Sequence, residues 1–200
     1  MTESPSEAPA LGAADVAQRF AALVGAASSS AEFGTAKIVV PRERWVEVHQ
    51  ALKEHLPFFS YLSAIDWSAE VAVGEPPAED AVTGRFEVIS RLSDVDEGKA
   101  LMVSTDLPQD DATIDSLVSV YRGANWHERE AYEMFGIDFA GHPNLIKLYL
   151  PDGFEGNPLR KSFRLLSREV KPWPGTVDVE GMPGGADDGP STENVEAGDA

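Results

Sequence analysis

The chain has 200 residues, of which 34 are Asp or Glu and 16 are Lys or Arg, so its formal net charge is −18. A chain this acidic repels phosphate groups, which disfavours a nucleic-acid binder or a protein that binds anionic membranes directly. It contains no cysteine, which excludes disulfides, thiolate nucleophiles and cysteine-ligated zinc or iron–sulfur clusters on this chain. Hydrophobic residues make up 42% of the sequence, enough for a folded core.

The sequence contains no run of about 18 consecutive apolar residues, the length that a membrane-spanning helix needs. Its first residues have neither the positive charges nor the apolar run of a secretory signal peptide. We therefore expect a soluble chain that meets a membrane, if at all, on its cytoplasmic side.

The two ends of the chain differ in composition from its middle. Residues 1–12 are rich in Pro, Ser, Glu and Ala and predict a flexible leader. Residues 181–200 combine Gly, Pro and acidic residues without any Lys or Arg, which predicts a disordered acidic tail. Between the two ends we predict an α+β domain over 13–136 and an extended partner-binding arm over 137–180.

Hydrophobic periodicity predicts two helices and a strand at the start of the domain. Apolar residues recur with helical spacing over 13–26, which predicts a helix. A β-branched run over 36–40 predicts a strand. Pro41 is tolerated in a first helical turn, so it predicts the start of a second helix, which ends near His55 before Pro57.

Three strands are predicted next. Residues 58–65 form an apolar and aromatic run that predicts a buried strand or, as the alternative, a buried turn of helix. A polar stretch with two prolines predicts a loop over 66–80. Residues 85–92 alternate between apolar and polar, and 100–105 returns as the partner strand across a hairpin turn at 93–99.

A third helix is predicted to begin at Pro108. It carries apolar residues at i, i+3, i+4 and i+7, namely Ile114, Leu117, Val118 and Tyr121. The succession of strands between 58 and 105 favours an antiparallel sheet with helices packed on one face. This is an α+β architecture rather than a doubly wound parallel sheet.

A fourth, short helix is predicted from Asn125 to Phe135. Asn125 is a good N-cap, Glu128 three residues later completes an approximate capping box, and Gly136 suits the position after the helix. Three aromatic residues of this helix are candidate partner anchors, of which one or two are expected in the core: Trp126, Tyr132 and Phe135.

The segment 122–171 differs in charge from the rest of the chain. It holds 8 of the 16 basic residues and has a net charge of +1, whereas the rest of the chain is at −19. After Gly136 the periodicity is lost, and a loop this long inside a compact domain is uncommon. Because the segment is also too apolar for disorder, we expect it to lie on the surface of a partner protein.

Motifs in this segment resemble a known family. The order is Glu128-Arg129-Glu130-Ala131-Tyr132-Glu133-Met134-Phe135-Gly136-Ile137, then Phe139 and Gly141-His142-Pro143, and then Leu150-Pro151-Asp152 with Pro158-Leu159-Arg160-Lys161. This order resembles the 30-kilodalton subunit family of proton-pumping NADH:quinone oxidoreductases, known in bacteria as the C subunit of respiratory complex I. Three positions depart from the family pattern: Glu133 replaces a usual Asp, Ile146 a usual basic residue, and Ser162 a usual Asp.

The resemblance implies a non-catalytic structural and assembly subunit of the hydrophilic arm of the complex. It implies no redox centre, catalytic residue, cofactor site or metal site on this chain, with FMN and iron–sulfur clusters on partner subunits. The implied partners are the subunit that forms much of the quinone cavity and the nearby iron–sulfur subunits. The expected location is the cytoplasmic side of the cell membrane, as a peripheral protein that contacts the membrane only through the complex.

Nine residues of the resembling stretch are expected at an interface with these partners. They are Glu128, Arg129, Glu130, Glu133, His142, Pro143, Lys147, Arg160 and Lys161. Two alternatives stay open. One is the equivalent subunit of a membrane-bound hydrogenase or of a deazaflavin-dependent dehydrogenase. The other is a stand-alone metalloenzyme with His127, Glu130 and His142 as metal ligands.

Overall fold

The structure, a computed structural model, describes residues 12–68 and 84–163 as three helices and seven strands. The helices are α1 (Ala13–Val24), α2 (Trp45–Lys53, preceded by a 3₁₀ turn at Arg42–Arg44) and α3 (Ala124–Phe135). The strands are β1 (Ser28–Glu32), β2 (Thr35–Val39), β3 (Phe58–Asp66), β4 (Arg85–Asp94), β5 (Lys99–Pro108), β6 (Thr113–Asp115) and β7 (Asp138–Ala140). No described helix has the length and hydrophobicity needed to cross a membrane.

Five of the strands form one sheet in the order β1-β2-β5-β4-β3. The strands β3, β4 and β5 form the predicted antiparallel meander, and β1 pairs with β2 as a hairpin. The strand β2 joins β5 in parallel, so the sheet is mixed rather than purely antiparallel. The predicted α+β class is confirmed. The parallel pairing of β2 with β5 was not predicted, because hydrophobic periodicity does not indicate which strands pair.

The core lies on the face of the sheet that the helices cover. In the register of the meander, Phe86 lies opposite Leu107 and Leu92 opposite Leu101, and all four side chains are buried. Buried residues of all three helices belong to the same hydrophobic cluster. In α3, the ring of Phe135 lies 6.5 Å from that of Phe86 in an edge-on arrangement.

One buried histidine joins α2 to the sheet. The Nδ1 atom of His49 lies 2.7 Å from the carbonyl oxygen of Trp45, and Nε2 lies 2.7 Å from the hydroxyl of Ser90. Burial lowers the pKa of His49 to about 4, so the ring is neutral near pH 7. In the neutral ring, Nδ1–H donates to Trp45 and Nε2 accepts from Ser90.

The helix predicted from Pro108 to Tyr121 is wrong. Strand β6 occupies its centre and pairs in parallel with β7, and turns follow over 117–123. The backbone N–H of Tyr121 donates to the carbonyl of Leu117 at 2.8 Å, so helical geometry persists for one turn only. The spacing correctly predicts burial of Ile114, Leu117 and Tyr121. They lie, however, on a strand and on the turns that follow it rather than on one face of a helix.

Other boundaries agree more closely with the sequence. The helix predicted at 13–26 and the strands at 36–40, 58–65, 85–92 and 100–105 are confirmed within a few residues. Strand β1 is an addition, because its residues are exposed throughout and carry no apolar pattern. Several predictions fall outside the described residues: the leader up to residue 11, the loop predicted over 66–80 from residue 69 onward, the arm from 164 and the acidic tail.

Candidate interface of the third helix and the following arm

The residues after β7 fold back along α3. The predicted arm begins at residue 137, but its first residues form β7, so we call the described remainder, 141–163, the arm. It contains no helix or strand. Near its end, Leu159 N donates to the carbonyl of Met134 at 3.0 Å, and Asn157 Nδ2 donates to the carbonyl of Glu133 at 2.9 Å. The arm therefore contacts its own domain, although its sequence predicts that it needs a partner surface.

Glu133 holds the middle of the arm. Its buried carboxylate accepts the backbone N–H groups of Leu148, Tyr149 and Leu150 at 3.0, 2.9 and 2.5 Å. Burial alone would raise the pKa of Glu133, but these three donors and the nearby charge of Lys147 outweigh it, so the pKa is lowered. Glu133 is therefore ionised and bound to its own chain, and its contact with a partner stays a prediction.

Arg160 closes the C-terminal end of α3. Its Nε donates to the carbonyl of Phe135, one of the last helical carbonyls that lack an intrahelical partner. Its guanidinium carbon lies 5.1 Å from the centroid of the Phe86 ring. Gly136 ends the helix as predicted, at φ 70°, and a Cβ there would lie 2.6 Å from Nη2 of Arg160. A side chain at position 136 would therefore require both a left-handed backbone and a shift of the Arg160 guanidinium.

Arg129 and Lys147 also bond to the backbone of the arm. Arg129 donates from Nε to the carbonyl of Ile146 at 2.9 Å and from Nη2 to that of Lys147 at 3.0 Å. Lys147 Nζ in turn donates to the carbonyl of Phe154 at 2.8 Å. A pair between Arg129 and Glu133, conceivable from their i, i+4 spacing, is not formed, because each side chain binds backbone groups of the arm instead.

Glu128 is buried rather than exposed on the helix. Its carboxylate accepts the hydroxyl of Ser116 and the N–H of Leu117, each at 2.6 Å. Burial raises the pKa of Glu128 to about 7, against the smaller lowering effect of these two donors. The predicted capping box is wrong, since α3 begins at Ala124 and Glu128 binds the preceding turn. Contact of Glu128 with a partner stays a prediction.

His142 adjoins this buried carboxylate. The imidazole is fully buried, with Nδ1 accepting the N–H of Asn144 at 3.0 Å. Nε2 then carries the hydrogen and donates to the carbonyl of Asn125 at 3.3 Å. The same nitrogen lies 4.0 Å from Oε2 of Glu128. His142 thereby fixes the start of the arm against the first turn of α3, and its contact with a partner stays a prediction.

The remaining three of the nine predicted interface residues are half-buried or exposed. Glu130 is half-buried on α3, and Pro143 is exposed. Lys161 is exposed, while its backbone N–H donates to the buried carboxylate of Asp66 at 2.9 Å. Nothing in the sequence singles out Asp66, and only its contact with a residue 95 positions later reveals its role. For Glu130, Pro143 and Lys161, contact with a partner stays a prediction.

The proposed metal-ligand set does not converge. The ring of His127 packs edge-on at 5.7 Å from that of Phe59, and both ring nitrogens of His142 have backbone partners. Within residues 12–68 and 84–163, no group of three His, Cys, Asp or Glu residues could hold a metal ion. The geometry therefore gives no support to a metalloenzyme built on His127, Glu130 and His142.

Comparison with known proteins agrees with the motifs. Residues 38–169 match the family described as the 30-kilodalton subunit of respiratory-chain NADH dehydrogenase. The chain is 33% identical to the C subunit of the NADH-quinone oxidoreductase of Citrifermentans bemidjiense, over 72% of this chain and 83% of that protein. It is also similar to a solved structure, the trypsin-resistant fragment of Nqo5, with a TM-score of 0.51 and 26% identity over 66% of this chain and 99% of the other.

A further relative is a longer protein. The C/D subunit of the NADH-quinone oxidoreductase of Cronobacter sakazakii is 32% identical over 74% of this chain, which spans 24% of that protein. Together these findings define a component of a respiratory NADH-quinone oxidoreductase. The chain belongs to the 30-kilodalton subunit family, which supplies the C subunit of complex I.

Proposed function

We propose that the chain is a non-catalytic structural subunit that helps to assemble the hydrophilic part of complex I. The observation that carries this proposal is that the polar residues of the motif bind groups of their own chain. Glu133, Arg129 and Arg160 bind backbone groups of their own chain, and Glu128 is buried against the preceding turn. Groups engaged in this way support a scaffold more than a reaction centre, where an acid or base must reach a substrate.

The remaining parts of the proposal concern the complex as a whole. The names of the relatives support NADH as electron donor and a quinone as acceptor, in preference to a hydrogenase or a deazaflavin-dependent dehydrogenase. FMN and iron–sulfur clusters would then be held by other subunits, and the complex would couple electron transfer to proton translocation. The chain would lie on the cytoplasmic side of the membrane, next to the subunit of the quinone cavity and the nearby iron–sulfur subunits.

The C/D relative indicates one partner in particular. Its name and its length mean that a region similar to this chain occurs there in one polypeptide with a D region. We take the separate D subunit as the direct neighbour of this chain in the complex.

The proposal is tested by Arg160→Ala in a strain whose own copy of this chain has been deleted. Loss of a partly buried hydrogen bond at the end of α3 should cost about 1–3 kcal/mol, and should reduce the amount of assembled complex. The measurements are intact complex on a native gel and NADH:quinone activity per flavin. We expect at least a threefold loss of complex, with activity per flavin within twofold of wild type.

Glu130→Ala tests the same distinction at a half-buried residue of the motif. It should also affect assembly more than turnover. Normal assembly with a hundredfold loss of activity per flavin would contradict the scaffold function, because general acid or base catalysis contributes typically about 10²–10⁴-fold to a rate.

A further inference from the structure

A buried pair of titratable groups joins the start of the arm to α3. The side chains of Glu128 and His142 are both fully buried, and Nε2 of the imidazole lies 4.0 Å from Oε2 of the carboxyl group. The proposed scaffold function gives this pair no role beyond packing. Because the charge of such a pair depends on pH, its protonation is coupled to the contact between the two segments.

The surroundings of Glu128 supply few donors for an ionised carboxylate. The carboxyl group contacts the hydroxyl of Ser116 and the N–H of Leu117, each at 2.6 Å, whereas a carboxylate offers about four acceptor positions. The Nε2–H of His142 is beyond hydrogen-bond distance and donates to the carbonyl of Asn125 instead. A buried charge with so few partners is costly, so a neutral carboxyl group fits this site better.

The imidazole cannot supply the missing positive charge in this conformation. An imidazolium carries hydrogen on both ring nitrogens. Nδ1 of His142 accepts the N–H of Asn144 at 3.0 Å, and a hydrogen on Nδ1 would oppose that N–H. Protonation of His142 would therefore break the bond that shapes the start of the arm. The proton of the pair thus resides on Glu128 as long as the arm keeps this conformation.

Other charged groups do not compensate Glu128 either. Among the described residues, His142 is the only basic group within 4.0 Å of this carboxyl group. Its neighbours on α3 are engaged elsewhere, since His127 packs on an aromatic ring and Arg129 binds the backbone of the arm. Further titratable groups of the surrounding segments are exposed, half-buried or bonded elsewhere, namely Asp115, Tyr121, Arg122, Glu130 and Asp138.

The start of the arm, residues 141–145, lies between two fixed points. Ser116 holds the preceding strand β7, and Arg129 holds the residue that follows. Most of this stretch is exposed, and the imidazole of His142 is its one fully buried side chain. A short segment with few buried contacts opens at a lower free energy than a core element. Its opening would bring water to Glu128.

We propose that Glu128 and His142 form a proton-operated clasp, in which the start of the arm closes on α3 with one proton bound at Glu128 and opens with release of that proton. In the open state the proton passes to solvent and water hydrates the carboxylate. Burial raises the pKa of Glu128 to about 7 in the closed state, against an ordinary value of 4.5. Because linkage is reciprocal, any partner that requires the open conformation would bind with release of this proton.

The two pKa values define the pH range in which the clasp responds. Below pH 4.5 the closed and the open state both hold the proton, so pH has little effect on opening. Between pH 4.5 and 7 the open state loses the proton while the closed state keeps it, and opening becomes more favourable as the pH rises. Above pH 7 both states have lost the proton, and the dependence ends.

Hydrogen exchange of the full-length chain tests the clasp, because the amide of Asn144 is bound by the His142 ring. Its protection, measured relative to an unfolded peptide at the same pH, should fall at least about tenfold from pH 5 to pH 7.5. The amides of Leu148 and Tyr149 are held by Glu133 instead, and their opening leaves Glu128 covered. Their protection should change less than about threefold.

Two variants identify the group that titrates. Glu128→Gln keeps the shape of the side chain but cannot ionise, so the protection of Asn144 should no longer depend on pH. Glu130→Gln removes a half-buried carboxyl group of the same helix and should keep the pH dependence of wild type.

A carbon-13 NMR titration of the Glu128 carboxyl group provides the second measurement. Its midpoint should lie near 7 in wild type and nearer 4.5 in His142→Ala, because water reaches the carboxyl group once the ring is removed. This comparison decides the matter even if Glu128→Gln fails to fold.

Three results would overturn the clasp. They are protection of Asn144 that is independent of pH in wild type, the same pH dependence in Glu128→Gln as in wild type, and the same midpoint in His142→Ala as in wild type. A parallel fall at Asn144, Leu148 and Tyr149 would also overturn it, because the arm would then open as one unit rather than at its start.

Discussion

Glu128 and Glu133 lie on the same helix, yet their carboxyl groups respond in opposite ways to burial. Glu133 accepts three backbone N–H groups, which lower its pKa despite burial. Glu128 accepts one N–H and one hydroxyl, too few to offset burial, and its pKa is raised to about 7. The deeper burial of Glu128, and the three donors and the nearby Lys147 charge at Glu133, decide which carboxylate is charged at neutral pH.

The raised pKa of Glu128 predicts a pH-dependent stability. The folded chain holds this proton up to about pH 7, while the unfolded carboxyl releases it near its ordinary pKa of 4.5. The free energy of unfolding therefore falls as the pH rises from 4.5 through 7, by up to about 3 kcal/mol. Glu128→Gln cannot ionise, so denaturant titrations at pH 5 and pH 8 should show a smaller loss for this variant than for wild type.

The control for this prediction is Glu130→Gln, a change to a half-buried carboxyl on the same helix. It should keep the pH dependence of wild type. His49 acts in the opposite sense, since its lowered pKa makes the chain less stable as the pH falls from 6.5 towards 4. Because wild type and variants share His49, its contribution cancels in the comparison. Equal pH dependence in wild type and Glu128→Gln would contradict the assignment.

At the scale of elements, sequence patterns predict what is local and miss what depends on distant partners. The end of α3 at Gly136 is predictable, because a left-handed glycine is a local requirement. The start of α3 lies within a residue of its prediction, but the predicted capping box is not formed, because Glu128 binds the turn at Leu117 instead of the helix N-terminus. Strand β6 lies where the spacing of apolar residues predicts a helix. Its pairing with β7 joins segments about 25 residues apart and so leaves no local pattern in the sequence.

Gly136→Ala should be much more destabilising than its conformation alone requires. A left-handed φ costs a non-glycine residue about 1–2 kcal/mol. The new Cβ would also push Nη2 of Arg160 aside and so weaken the partly buried bond of its Nε to the Phe135 carbonyl, adding about 1–3 kcal/mol. We expect a total loss of about 2–5 kcal/mol in the free energy of unfolding, measured by denaturant titration.

Gly98 offers a matched control for this substitution. It has a similar φ of 65°, but nothing lies within 4 Å of a Cβ built there. Gly98→Ala should therefore show only the conformational loss of about 1–2 kcal/mol. If both variants lost the same stability, the contact between Gly136 and Arg160 would contribute nothing.

At the scale of the whole molecule, the sequence locates the candidate site but does not reveal how it is built. The motif residues between Glu128 and Lys161 are recognisable as a group from their order. Their contacts are not, because they run from side chains of α3 to the backbone of the arm, and backbone atoms leave no pattern in a sequence. Trp126 shows the same limit, since helical spacing cannot tell which aromatic residue of α3 remains exposed.

The arm should be ordered in the isolated full-length chain. The amide hydrogens of Leu148, Tyr149 and Leu150 are bound by Glu133, so we expect their exchange with solvent to be at least tenfold slower than in an unfolded peptide. Glu133→Ala should remove this protection while the β4 amides keep theirs. Exchange at the unfolded rate in wild type would mean that the arm is ordered only by a partner, as its sequence alone suggests.

The side-chain-to-backbone bonds of the arm have a consequence for evolution. Arg129 requires a carbonyl at position 146, which every amino acid supplies, and Glu133 requires N–H groups, which all residues except proline supply. The donor and acceptor side chains on α3 are thus constrained, whereas the residues they hold can diverge freely. Ile146, where the family usually has a basic residue, can therefore be accommodated without loss of the bond. Sequence drift along the arm can alter the surface shown to a neighbour while the path of the chain stays the same.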